Sequence, residues 1–308
     1  MTDHTLAQLE AEALAAVNKL GVPPCPRVLS EIGRELRREV PDVHKIAELI
    51  TQDATCSAAI VGTANSALYA LSSKARSVQQ AIANVGLNYT SYLLAGLLLR
   101  NAFPSSSKGA LIPFWDTSTE LALCAAYVAS ELGTVDRDEA HTYALFRDVG
   151  SAVLICKFDD YDEASLQASA ESESNLSVAE KARFGTDHVL IGSGLARDWQ
   201  LPEEMIEAIH WHHAENVFDR DERTISDESL RLIAIGALCD RIVHDYEGIR
   251  ANDATIQLTA KALGFLNLPT PEFEVLQAEA TEMLDQLDIN AMPTIRVHRL
   301  NQERGPDK

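Results

Sequence analysis

Apolar residues along this chain recur at intervals of three and four, and they rarely alternate one-for-one with polar ones. That spacing marks helices with one buried face, and the missing period of two argues against a sheet. Leu6, Leu9, Ala13, Ala16, Val17 and Leu20 form a stripe along a first helix over residues 5–20, stopped by Gly21. Pro23, Pro24 and Pro26 make an extended entry, and Val28, Leu29, Ile32 and Leu36 outline a second helix. A third starts at Pro41-Asp42, with Val43, Ile46, Ala47, Leu49 and Ile50 inward. Asp53 or Thr55 caps the next, which reaches about residue 65. Ser77 caps a helix over 78–85 that Gly86 ends, and Asn88 caps an apolar helix over 89–103.

A loop over 104–113, with Pro104, Gly109 and Pro113, separates this block from a helix over 114–132. Asp138 opens a helix to about residue 148, and shorter ones follow at 151–157 and 162–170. Ser177 and Glu180 stand in the S-x-x-E order of a capping box, which places a helix start there. Thr186 or Asp187 caps a helix to about residue 199, and Pro202 opens another to about 214. After a charged loop over 216–224, Ser226 caps a long helix to about 246. Helices at about 254–263 and 271–287 complete the set, before a basic tail beyond Met292. Small residues at 64, 81, 95, 96, 122, 125 and 126 let the helices pack closely. The expectation is an all-α fold.

Composition narrows the function. The 308 residues are 46% hydrophobic, enough for a substantial core. The net charge is -20, from 46 acidic and 26 basic residues, which disfavours nucleic acid as a partner. Arg34, Arg37 and Arg38 form a small basic group that reads as a solvated helix face. The five cysteines are spread singly, as core residues of a reducing compartment. The first dozen residues carry no apolar signal region, and the apolar run at 92–99 is far short of a membrane span. The expected setting is soluble and cytoplasmic, with no membrane partner.

The chain has no G-x-x-x-x-G-K-[ST] phosphate loop, no G-x-S-x-G elbow and no H-E-x-x-H pair. Gly192 and Gly194 fall inside a predicted helix, so they make no dinucleotide fingerprint. What remains is a set of histidines and aspartates: Asp148, Asp187, His188, His210, His212, His213 and Asp240. A helix turns about 100° per residue, which separates His212 from His213 and puts His210 and His213 on one face. Two readings of the set stand. Side chains from several helices can converge on a divalent ion in a bundle core. The same histidines can instead be buried, neutral and hydrogen-bonded. Trp115 and Trp199 read as core anchors, Trp211 as partly exposed, and Asn65 as a side chain that bonds a neighbouring turn.

Several stretches, in order, resemble the HDOD family, a branch of the HD-domain superfamily common in bacterial signalling. They are residues 20–26, with their three prolines; 50–53; Ala64-Asn65-Ser66 with Tyr69; 77–82; Val85-Gly86-Leu87; and Phe114-Trp115. A late block adds Phe184-Gly185, Asp187-His188, Gly192, Trp199, Leu201-Pro202, Ala208-Ile209 and His212-His213. The resemblance spans residues 15–245. It implies an N-terminal helical subdomain over 1–110, an HD-like helical bundle over 111–250 and a C-terminal helical extension over 251–308.

Catalytic members of the superfamily hold one or two divalent metals with histidines and an adjacent His-Asp pair, and hydrolyse phosphate esters. At that pair this chain reads Arg147-Asp148, and Thr117 stands where many members have histidine. Arginine cannot ligate a metal, and its fixed charge opposes one. The resemblance therefore leaves Asp148, His188, His212, His213 and Asp240, with Arg147 beside them, as the remnant metal or ligand site. His212-His213 also resembles the paired histidines of HD-GYP relatives, but no D-G-x-G-Y-P-like string follows. The leading expectation is a non-catalytic signalling module with no catalytic residue and no cofactor. It would bind a protein partner, a second copy or a small ligand such as a nucleotide. The alternative is a residual phosphohydrolase acting on a nucleotide or cyclic dinucleotide, with Asp148, His188, His213 and Asp240 around iron, manganese or zinc. A third is an anion pocket in which Arg147 binds a phosphate without cleaving it.

Overall fold

The structure, a computed structural model, describes residues 13, 20, 24–65, 74–103, 111–161, 173–214, 216–219, 225–251 and 253–286. Most of the helix expected at 5–20, the helix at 162–170, Ser66, Tyr69 and the tail beyond Met292 lie outside the described residues. Every regular element among the described residues is a helix. The chain divides into two compact units, one drawn from residues 23–104 with 196–201, the other holding the rest.

The first unit carries α1 (Arg27–Leu36), α2 (Val43–Thr51), α3 (Ala54–Ala64), α4 (Val78–Val85) and α5 (Leu87–Ala102). The starts of α2, α3 and α4 follow from short polar side chains that accept otherwise unpaired backbone N–H groups. Asp42 accepts from His44 and Lys45 N–H, Asp53 from Thr55 and Cys56, and Ser77 from Gln80. Gly86 stands between α4 and α5 at φ 90°, a left-handed turn that costs a glycine little. The apolar helix accordingly begins at Leu87, and Asn88 lies inside it rather than capping it. Ile32, Ile46, Ile50, Ile60, Leu94 and Leu99 are fully buried. Each such side chain contributes about 1.5–3 kcal/mol relative to exposure. Asn65 works as expected: its Nδ2 donates to the Ala75 carbonyl at 2.9 Å, and its Oδ1 accepts from Ala75 N–H at 2.7 Å. Glu35 is buried between Lys45 and Arg38, and those contacts hold its carboxyl down to about 2. Arg34, Arg37 and Arg38 are exposed, as a solvated face should be.

The second unit carries α6 (Leu111–Leu132), α7 (Arg137–Phe146), α8 (Val149–Lys157) and α9 (Glu173–Phe184). It continues through α10 (His188–Asp198), whose last residues pass into the first unit, to α11 (Glu203–Trp211) and α12 (Asp227–Tyr246). It ends with α13 (Asp253–Leu266) and α14 (Thr270–Gln286). A continuous core joins α6, α7, α12, α13 and α14 through Leu121, Val128, Ala144, Ile235, Leu238, Ala262 and Leu276. Ala122 and Ala125 are fully buried at this packing, as their small size suggested, while Ala126 is half-buried. Trp115 is 4% exposed and Trp199 2%, both inside as expected, and Trp211 is half-buried.

Several boundaries differ from the expectation. Asp136, not Asp138, caps α7, because its side chain accepts from the N–H of Asp138 and Glu139. Helix α6 is already formed at Leu111, so Pro113 lies within it. Helix α9 runs unbroken from Glu173, which puts Ser177 inside a helix and removes the capping box. Asp187 is the cap of α10, accepting from Leu190 N–H at 2.8 Å. No single described helix is long and apolar enough to cross a membrane.

One close approach positions the site. A Cβ built on Gly150 would lie 2.0 Å from the backbone oxygen of His188. Gly192, one turn into α10, faces the backbone of Gly150 and Arg147. Only glycines allow α8 and α10 to touch main chain to main chain, bringing Asp148 beside His188. We expect Gly150→Ala to destabilise the protein by about 3 kcal/mol, since no flexible side chain can yield. Gly62→Ala, in α3 with open space around the new methyl, should stabilise by about 0.5–1 kcal/mol. Urea titration of both variants checks the contrast.

Candidate functional site

Arg147 and Asp148 fill the junction between α7 and α8. Arg147 is 5% exposed. Its Nη1 donates to Asp240 Oδ2 at 2.9 Å and its Nη2 to Asp240 Oδ1 at 2.7 Å, a two-point fork across to α12. Its Nε donates to Asp148 Oδ2 at 3.1 Å. Gly236, one turn before Asp240, makes the room, since a Cβ there would lie 3.0 Å from Nη1. Burial works against the arginine's charge, but Asp148 and Asp240 outweigh it and hold the guanidinium more firmly protonated than usual. Burial likewise favours neutral Asp148. Arg147 first, then His212 and His188, overcome this and hold its carboxyl well below the usual range.

Asp148 occupies the N-cap position of α8 but makes no capping bond with its side chain, so Oδ1 faces the histidines. That oxygen lies 3.2 Å from His212 Nε2 and 3.9 Å from His188 Nε2. The opposite nitrogens fix the tautomers. His212 Nδ1 is 2.7 Å from the Ile209 carbonyl, which can only accept, so Nδ1 carries the hydrogen. His188 Nδ1 is 2.6 Å from Glu180 Oε2 and likewise donates. In the neutral rings, both Nε2 lone pairs therefore point toward one carboxylate oxygen. His188 Nε2 is buried and has no hydrogen-bond partner. His213 closes the group, its ring centroid 3.9 Å from that of His212 and 4.9 Å from that of His188. Burial, then the neighbouring histidines, push His213 well down, and burial also lowers His212. At His188 burial opposes charge, but Glu180 outweighs it and raises the pKa.

The structure thus brings Asp148, His188, His212 and His213 together, with one ligand atom from each within 4.8 Å of all the others. That is a little wider than the sphere spanned by metal bonds of about 2.0–2.2 Å. When the rings are neutral, their nitrogens and the Asp148 oxygen can converge on a single divalent ion, and the orphaned His188 Nε2 would gain a partner from it. Three imidazoles and a carboxylate suit iron, zinc or manganese.

Three expectations change. His212 and His213 do face one centre, because α11 ends at Trp211 and helical rotation no longer separates them. His210 turns instead to Ser193, with Nδ1 3.3 Å from Oγ. Asp240 stands outside the group, since Arg147 engages both its oxygens. The same contacts commit the guanidinium to two carboxylates, so it makes no anion pocket.

Sequence reasoning missed Glu180 and Tyr161. Both are buried; the Tyr161 hydroxyl donates to Glu180, and Glu180 also accepts the His188 backbone N–H at 2.8 Å. The usable signal was an acidic residue eight positions before a candidate ligand histidine, and the capping-box pattern hid it.

The helical body and this His/Asp cluster define an HD-like protein. More narrowly, the chain belongs to the HDOD family, whose domain model matches residues 22–215. An uncharacterized protein of Treponema pallidum is 24% identical over 201 residues, covering 62% of this chain and 37% of that protein. This chain therefore spans little more than a third of that relative. A candidate phosphohydrolase of Shewanella amazonensis shares the fold with a TM-score of 0.64 at 21% identity, over 90% of this chain and 98% of that one. An HDOD domain protein of unknown function from Geobacter sulfurreducens gives 0.62 at 20% identity, over 92% and 99%.

Removing the arginine tests the charge balance. Arg147→Met leaves two largely buried carboxylates without their cation and should cost about 3 kcal/mol at neutral pH. The depressed carboxyl of Asp148 stabilises the fold above its unfolded value of 3.8, and that contribution fades as pH falls below it. The variant lacks the contribution, so its gap to the wild type should narrow below about pH 4. Thermal melts at neutral and acidic pH read the difference.

Proposed function

We propose that this chain is a non-catalytic HDOD signalling module whose His/Asp group takes one divalent ion as a structural or sensing element. The observation that carries the reading is the Arg147 fork. A fixed guanidinium holds Asp240 and one oxygen of Asp148, where a hydrolase of this superfamily would need ligands. Asp148, His188, His212 and His213 would hold the ion. Four protein ligands make a closed set, the pattern of structural metal sites, whereas catalytic sites keep a position open for substrate. Bound there, the ion would supply a positive charge that ties the start of α8, the start of α10 and the turn after α11 together.

The output would then be protein binding governed by the state of the helical body. The net charge of -20 favours a partner, or a second copy, that meets it through an apolar or basic surface. A hydrolytic reading has one support, the fold shared with a candidate phosphohydrolase. Fold likeness at that identity does not supply a missing ligand.

Elemental analysis and a hydrolysis assay separate the two. The untagged chain, purified without chelator, should carry close to one equivalent of iron, manganese or zinc, and a chain with only trace metal would overturn the metal part of the reading. It should show no turnover of bis(p-nitrophenyl) phosphate or cyclic dinucleotides above a metal-only blank. Turnover abolished by Asp148→Ala would overturn the non-catalytic reading.

A further inference from the structure

We propose that Glu180 is the positioning residue of this centre: it fixes which nitrogen of His188 faces Asp148 and sets how strongly that nitrogen holds a divalent ion. The proposal rests on the reading that Asp148, His188, His212 and His213 take an ion.

The Glu180 side chain is 1% exposed. It spends one oxygen entirely on His188, accepting the backbone N–H at 2.8 Å and lying 2.6 Å from Nδ1. The other oxygen accepts from the Tyr161 hydroxyl, which also lies 3.2 Å from Ser151 Oγ. Ser151 is on α8, three residues beyond Asp148. The contacts therefore run as a chain through four segments, from Ser151 on α8 through Tyr161 after it and Glu180 on α9 to His188 on α10, whose Nε2 lies 3.9 Å from Asp148 at the start of α8. A chain anchored on α8 at one end holds the imidazole plane as well as its tautomer.

A carboxylate behind a ligating histidine increases the basicity of the far nitrogen, and losing such a partner typically lowers metal affinity 10–100-fold. The His188 N–H and the Tyr161 hydroxyl need only an oxygen to accept them, so the contact that gains most from the acid's charge is the one to the imidazole. Asp187, which accepts the Leu190 N–H, gives the start of α10 a second anchor.

The test is a titration of the full-length, metal-free chain with Co(II), followed by visible absorption, with Zn(II) affinity read by competition against a chromophoric chelator. Glu180→Gln keeps the shape and an oxygen to accept the backbone N–H, but removes the charge. It should melt near the wild type without metal, bind Co(II) about 10–100-fold more weakly and show altered visible bands. Asp187→Ala, which breaks the helix cap alone, should lower the melting temperature and leave Co(II) affinity unchanged. Should Glu180→Gln fail to fold, Tyr161→Phe removes only the hydroxyl that orients the acid, and a smaller loss of affinity in the same direction is expected. Wild-type affinity and spectrum in a folded Glu180→Gln or Tyr161→Phe variant would overturn the positioning role while leaving the metal reading intact. So would an equal affinity loss in Asp187→Ala. A wild-type chain that takes up no Co(II) would overturn the metal reading and this proposal together.

Discussion

Arg147 carries its guanidinium out of solvent, and a buried cation is tolerated only where its charge is answered in place. Here the answer comes from two aspartates on different helices, and the surrounding geometry follows from it. Asp240 is drawn across from α12. Asp148 is left with a single oxygen for the histidines, held as a carboxylate by its neighbours. The end of α7, the start of α8 and the middle of α12 are pinned to each other by charge as well as by apolar packing. The same guanidinium that stabilises this corner also determines what chemistry it can host.

The histidine side of the site is built by different means. Main-chain contact between α8 and α10 at Gly150 sets the distance, and hydrogen bonds on the outer nitrogens set the ring orientation. Distance and orientation therefore have separate origins in the sequence. A glycine supplies one, while a carbonyl and a buried glutamate supply the other. Such a division is economical for a module, because the ring orientation can be tuned without moving the helices.

Much of this was legible in the sequence where the governing interaction is local. Asp53, Ser77, Asp187 and Ser226 cap helices as read, because a cap depends on residues two or three positions away. The ordered motif blocks pointed to the family and to His188, His212, His213 and Asp148. What failed was non-local or depended on where a helix stops. Ser177 and Glu180 have the capping-box spacing, yet α9 begins earlier and Glu180 turns inward to a histidine eight residues on. The paired histidines face one centre only because α11 ends just before them. Asp240 reads as a ligand until its partner, 93 residues away in the chain, is seen.

The compact units are not contiguous in the chain. Residues 196–201, with the buried Trp199, belong with 23–104 although more than ninety residues of the other unit come between. As a ribosome makes the chain, the earlier unit waits for residue 201 to emerge before its last side chains can be seated. By then four helices of the other unit, α6 to α9, have already been made, and α10 with them. The order of synthesis therefore differs from the order in which the units can be completed, and a fragment cut at residue 104 would lack part of its own core.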